Sequence, residues 1–143
     1  MNAHETKILV RYSETDAMGI VHHSSYLAWF EVGRVELMRF MGHSYREVEK
    51  KGTAFPVIDA RLRYIKASHF DEELTIRTFC LKVTKVRVRF GYEILRKDEQ
   101  IAYGYTEHAA LGPRGRPVRL PIDFRQDAEK FIPEEDEIKH LRF

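Results

Sequence analysis

The chain has 143 residues, enough for one hydrophobic core and too few for two ordinary domains, so one domain over 1–143 is expected. Lys and Arg total 24 against 22 Asp and Glu, a net charge of +2, and so even a balance makes no demand for nucleic acid or a charged membrane as partner. The lone cysteine, Cys80, excludes an intrachain disulfide, MNAHETKILV lacks a signal peptide's basic start and apolar stretch, and no apolar run approaches the roughly 18 residues of a membrane span; a soluble, cytoplasmic protein is expected.

From Lys7 to Ser13, apolar Ile8, Val10 and Tyr12 alternate with Leu9, Arg11 and Ser13, the period of a short strand. Residues 14–22 hold Asp16 and Gly19, and Ser24 or Ser25 is placed to cap a helix running from about Ser24 to Met41, with Gly42 ending it. Its apolar residues, from Tyr26 through Trp29 and Phe30 to Met41, lie on nearly every side, so it belongs inside the protein. Glu31/Arg34 and Glu36/Arg39 are spaced for mutual support along it. A short helical or irregular piece is expected around 44–51. Four strands follow, near 58–64, 74–81, 86–94 and 100–111, with one apolar face and one rich in arginine (Arg61, Arg63, Arg77, Arg87 and Arg89). Consecutive strands with short joints are expected to be antiparallel neighbours. Gly112, Pro113, Gly115 and Pro117 mark a loop, and Pro121 opens a closing helix through about Phe131; the tail from 132 to 143 is left unassigned. The whole reads as an α+β chain, a β-strand, a buried helix and four antiparallel strands.

The segment from Tyr12 to Tyr26, YSETDAMGIVHHSSY, resembles the signature of the 4-hydroxybenzoyl-CoA thioesterase-like family of hotdog-fold acyl-CoA thioesterases, above all the short-chain acyl-CoA branch associated with the Tol-Pal system. The pattern is carried by Asp16, Gly19, His23 and Tyr26. It continues through Glu31, Arg34 and Glu36, Tyr64-Ile-Lys66, Asp71-Glu-Glu-Leu-Thr, Phe90-Gly-Tyr-Glu-Ile and Arg116-Pro-Val-Arg-Leu-Pro121, covering roughly residues 7–125. His22 stands where the family usually has an aromatic residue. The resemblance implies a hotdog fold, a five-stranded antiparallel sheet wrapped around a long central helix. It also implies an acyl-CoA substrate, a homodimer or homotetramer with active sites between subunits, and no metal or redox cofactor.

Thioester hydrolysis needs a nucleophile or a base to activate water, and donors for the negative charge that develops on the carbonyl oxygen. Asp16 has the chemistry for the first and free amides at a helix start for the second. By resemblance, the backbone amide of His23 polarises the carbonyl, while Asp16 attacks it or acts as general base on water. Asp16 also has the plainer reading of a turn cap, common for Asp ahead of a helix. Gly19 permits a tight turn and close backbone approach. Tyr26, with His22, is expected to line the acyl channel or pack in the core. Cys80, in phase with Leu74 and Ile76, reads as a buried small hydrophobe. The phosphates of coenzyme A call for cations, for which Lys66, Lys85, Arg87, Arg89, Arg114 and Arg116 are candidates; by resemblance Lys85 matches the family's basic strand-end position most closely, with Lys66 and Arg116 after it. Two other functions fit such a chain: a hydroxyacyl-thioester dehydratase pairing His23 with Glu31 or Glu36, and a non-catalytic binding module for acyl-CoA or acyl-carrier protein.

Overall fold

A computed structural model describes residues 2–143. Strand β1 (His4–Leu9) is followed by a 3-10 turn at Tyr12–Glu14, helix α1 (Ser25–Phe40), helix α2 (Tyr45–Lys50) and four strands, β2 (Val57–Tyr64), β3 (Glu73–Val83), β4 (Arg87–Arg96) and β5 (Glu99–Ala109). Two helices close the chain, α3 (Ile122–Glu129) and α4 (Glu135–Ile138). The strands form one antiparallel sheet in the order β1-β3-β4-β5-β2.

Helix α1 packs chiefly on β3, with β1 and β4 beside it. Its buried residues, Tyr26, Trp29, Phe30, Gly33, Leu37 and Met38, recur every three or four positions and so form one stripe. Against them lie Leu74, Ile76 and Cys80 of β3 and Val88, Phe90, Tyr92 and Ile94 of β4, the alternate residues that share the sheet's inner face. The Phe30 and Tyr92 rings stack 4.2 Å apart and nearly parallel. At Gly33 the helix comes so near β3 that an added Cβ would stand 2.3 Å from Thr78 Oγ1.

Several expectations need correction. The helix has 16 residues, an ordinary length, and is not buried all round: Leu27, Val32 and, at its last residue, Phe40 are exposed. The first strand begins at His4 and ends at Leu9, because the chain turns at Tyr12–Glu14 and leaves Tyr12 on the surface. Strands β3, β4 and β5 are successive neighbours, but β2 is not beside β3; it crosses to the far edge and pairs with β5. At that edge its apolar residues are only partly covered: Leu62 packs against the core cluster, whereas Val57, Ile58 and Tyr64 are about half exposed along an edge that no described strand covers.

The arginines of β3 and β4 on the outer face are matched by carboxylates, Arg77 by Glu5 and Glu93, and Arg87 and Arg89 by Glu107. The unassigned tail covers part of this face. Leu141 packs with Phe79 and Tyr103, the Phe143 ring lies near both as well as Tyr105, and His140 Nε2 is 3.0 Å from Glu93 Oε2. Among the described residues no helix is long and apolar enough to cross a membrane.

Candidate active site

The segment from Arg11 to Ser25 is held by one buried carboxylate. Glu14 accepts the Arg11 N–H through Oε1 (2.8 Å) and the Trp29 indole N–H through Oε2 (2.7 Å), while its carbonyl accepts the His22 N–H (2.8 Å). Between these anchors the chain makes a tight turn: the Asp16 N–H donates to the Ile20 carbonyl at 2.9 Å and the Gly19 N–H to the Asp16 carbonyl at 3.0 Å. Gly19 has φ +78°, a conformation that costs a residue with a Cβ about 1–2 kcal/mol. A Cβ there would touch nothing within 4 Å, so the glycine serves the turn and not a close contact inside this chain.

Asp16 caps that turn, its Oδ1 accepting the Met18 N–H at 2.8 Å, as the plainer reading supposed. The cap uses one oxygen only. Oδ2 accepts nothing from the described residues, and the side chain, partly exposed, lines a cavity of about 320 Å³. The other walls are Ile20, Val21, His23, Tyr26, Tyr64, Ile65, Lys66 and Ala67. The His23 N–H has no hydrogen-bond partner among the described residues.

Two tyrosines shape the cavity's apolar side. The Tyr26 hydroxyl is 2.7 Å from Ser68 Oγ, and burial pushes its pKa up, against the lowering effect of that bond. Tyr64 stands edge-on to the Tyr26 ring (5.2 Å, 82°) and donates its hydroxyl to the His23 carbonyl at 2.9 Å. Its own pKa is raised, by burial first and by Tyr26 second, so it remains a donor at neutral pH. Ser68 is fully buried, and its carbonyl accepts the Val21 N–H at 2.9 Å, tying the 65–68 wall to the Asp16 loop.

The rest of that wall hangs on an ion network. Arg96 donates to the Ala67 carbonyl (3.2 Å) and to Glu72 (2.9 Å), and also pairs with Glu99. Lys66 is 2.6 Å from Glu99, whose pKa is lowered by Lys66 first and Arg96 second. The Lys66 ammonium is thus already paired, in an exposed position where exchange for a phosphate costs little.

Of the residues singled out by sequence, the fold brings Asp16, His23, Tyr26 and Lys66 to one cavity. Gly19 shapes the turn but does not line it. His22 is exposed, its Nδ1 2.7 Å from Ser24 Oγ and its ring against that of His23. Lys85 and Arg116 lie elsewhere, Lys85 in the β3–β4 turn with its carbonyl accepting the Leu120 N–H, and Arg116 with its carbonyl accepting the Gly112 N–H. Both are at the sheet end marked by the Arg87–Ala109 pair, whereas the cavity is at the end marked by the Tyr64–Ala102 pair. Seven residues of β5 separate those ends, about 24 Å at ~3.4 Å per residue. Glu31 lines a different groove with Leu27, Arg34 and Val57, and Glu36 is paired with Arg39, so neither joins His23 as a dehydratase pair would within one chain. Cys80 is buried at the core with its thiol pushed up to about 12.

Sequence reading missed Tyr64 and Ser68 as members of this site. Tyr64 carried the alternation of a strand and stood in the Tyr64-Ile-Lys66 stretch of the family resemblance, but with no role attached to it, and Ser68 carried no pattern at all.

The thioesterase superfamily model matches residues 18–103. The chain is 40% identical over 127 residues to the protein named "Putative acyl-CoA thioesterase YneP" of Bacillus subtilis, covering 88% of this chain and 90% of that one. It is 26% identical over 125 residues to the acyl-CoA thioester hydrolase YbgC of Escherichia coli O6:H1, covering 83% and 93%. Its structure is similar to that of the DHNA-CoA thioesterase from Staphylococcus aureus, with a TM-score of 0.84, 32% identity, and 99% and 93% of the two chains covered. A turn that presents a carboxylate, a free amide at a helix start and the β1-β3-β4-β5-β2 sheet thus coincide with these likenesses, and the chain belongs to the Thioesterase superfamily as a hotdog-fold enzyme that hydrolyses thioesters.

Proposed function

We propose that the chain hydrolyses a short-chain or aromatic acyl-CoA to the carboxylate and free coenzyme A, with the acyl group in the cavity beside Asp16. The observation that carries this reading is that Asp16, whose carboxylate has an unshared oxygen, and His23, whose backbone N–H has no partner among the described residues, line one cavity. The carbonyl oxygen accepts the His23 N–H, so the charge that builds on it meets a donor that needs no rearrangement. Asp16 then adds to the carbonyl carbon, or takes a proton from the water that does. In the first route the C–O bond to Asp16 forms as the C–S bond breaks, and a water then cleaves the mixed anhydride to the product carboxylate and free Asp16; in the second the C–O bond forms to the water itself as the C–S bond breaks. In both the departing thiolate of coenzyme A takes up a proton that the water supplies. A volume of about 320 Å³ is at the small end for ligand sites, and the walls of Ile20, Val21, Ile65 and Tyr26 suit a compact apolar acyl group. The names of YneP, YbgC and the staphylococcal enzyme support coenzyme A as the carrier.

The working form we propose is a homodimer joined through β2. Two β2 edges paired about a two-fold axis continue the sheet and shield Val57, Ile58 and Tyr64. Antiparallel pairing sets the Tyr64 end of one β2 beside the Val57 end of the other. The partner subunit's Lys85 and Arg116 then stand at the cavity end of the sheet, where Lys66 alone among the three already lies. Cations from two chains would share the phosphates of one coenzyme A.

The test is release of free thiol from a panel of acyl-CoAs by the wild type and Asp16→Asn. The variant should stay folded, bind acyl-CoA and lose at least a thousandfold in turnover, on the order of the loss when a nucleophile or base is removed. Full activity in Asp16→Asn would overturn the role of Asp16, and binding without hydrolysis in the wild type would overturn the activity. Single turnover in heavy-oxygen water tests the covalent route, since isotope in the Asp16 side chain requires attack by Asp16 followed by opening of the anhydride at the Asp16 carbonyl.

A further inference from the structure

The backbone of residues 22–24 can be accounted for group by group. The His22 N–H donates to the Glu14 carbonyl (2.8 Å), the His22 carbonyl accepts the Ser25 N–H (3.0 Å), the Ser24 N–H goes to His22 Nδ1 (3.2 Å), and the His23 carbonyl accepts the Tyr64 hydroxyl (2.9 Å). The N–H left over is that of His23. Three of these four restraints are local to the loop and helix start. The fourth reaches in from the last residue of β2, 41 positions along the chain.

Each peptide plane in this stretch is therefore pinned. The plane that carries the His23 N–H is held by the His22 carbonyl, and the plane after it by Tyr64. Tyr64 is itself held, because its ring rests edge-on against Tyr26 and the Tyr26 hydroxyl is fixed on buried Ser68. A relay of packed and hydrogen-bonded groups thus runs from Ser68 through Tyr26 and Tyr64 to His23. It stiffens the stretch that carries the unpaired His23 N–H.

We propose that Tyr64 is a positioning residue for hydrolysis: its hydroxyl, donated to the His23 carbonyl, keeps the unpartnered His23 N–H set for the thioester oxygen. The proposal rests on the reading of that amide as the polarising donor. Tyr64 holds the donor and does not need to touch the reacting atoms. Its loss acts on the transition state, where the carbonyl oxygen carries most charge, more than on substrate binding.

The experiment compares wild type with Tyr64→Phe, which retains the ring and its contact with Tyr26 and removes only the hydroxyl. Turnover should fall about tenfold while KM stays within about twofold, the signature of a donor slightly misplaced. A second readout is the carbonyl stretch of an isotope-labelled acyl-CoA bound to Asp16→Asn, where the substrate persists. Adding Tyr64→Phe to that variant should move the stretch back toward its value in water. Unchanged turnover, a loss confined to KM, or the same carbonyl stretch with and without the hydroxyl would overturn the role of Tyr64 and leave that of the amide standing. A stretch in Asp16→Asn already equal to that in water, or full turnover by that variant, would remove the underlying reading instead.

Discussion

The Trp29 indole donates its N–H to Glu14 Oε2 at 2.7 Å, and this buried contact fastens the loop that carries Asp16 to the first turns of α1. The other carboxylate oxygen takes the Arg11 N–H, so one side chain closes both ends of the approach to the turn. Glu14→Ala leaves a buried indole N–H without a partner and should cost about 2–3 kcal/mol, the range for losing bonds to a charged group. Urea unfolding monitored by tryptophan fluorescence measures it, and turnover should fall along with stability because the Asp16 loop loses its anchor.

Gly19 and Gly33 answer to different constraints and should fail in different ways. At Gly19 the backbone is left-handed in open space, so Gly19→Ala should cost about 1–2 kcal/mol through φ alone and Gly19→Asn less, since Asn tolerates that region. Its main effect should fall on turnover, because the turn presents Asp16.

At Gly33 the conformation is helical and the space is absent. A Cβ would lie 2.3 Å from Thr78 Oγ1 and 2.8 Å from Ile76 Cγ2, which forces α1 away from β3. The ~1 kcal/mol that alanine gains as a helix former is outweighed by an overpacking cost of about 1–3 kcal/mol, so Gly33→Ala should lower the urea midpoint.

His108 makes stability depend on pH. Its Nδ1 is 2.8 Å from the Phe55 carbonyl, which can only accept, so Nδ1 carries the proton; Nε2, 2.8 Å from Thr106 Oγ1, then accepts. Burial lowers its pKa to about 4, against 6.5 when exposed. Between those values the unfolded chain binds more protons than the folded one, so stability is present above pH 6.5 and is lost as the pH falls toward 4. The change is about 3 kcal/mol at ~1.4 kcal/mol per pH unit. His108→Gln should flatten that part of the stability profile measured by urea unfolding at fixed pH.

Cys80 should not interfere with a thiol-release assay. With its thiol raised to about 12 by burial, the thiolate fraction at pH 8 is on the order of one in ten thousand, and the sulfur is shielded as well. Ellman's reagent should label it only after denaturation, and immediate labelling of the native protein would contradict its place in the core.

What was legible in the sequence was what periodicity encodes. Alternation located β3, β4 and β5 because side chains on successive strand residues point to opposite faces, and the apolar run from Tyr26 to Met41 located α1, although only the structure showed that one side of it is buried. The Asp16–Gly19 turn was legible for the same local reason: a carboxylate capping an amide two residues on and a glycine at positive φ are chemistry within five residues.

Long-range choices left no such trace. Strand β2 reads like the strands after it, yet it sits at the far edge against β5, since a strand's neighbour is decided by which faces can be buried together and not by its own alternation. The tail read as nothing in particular because its hold on the outer face comes from Phe79 and Tyr103 and from Glu93, more than 35 residues away. Lys85 stood ahead of Lys66 and Arg116 as the phosphate cation in sequence, yet folding put Lys66 at the cavity and the other two at the opposite sheet end. Local geometry repeats along a chain and can be read from it; a partner 41 residues off, as Tyr64 is to His23, exists only once the core has closed.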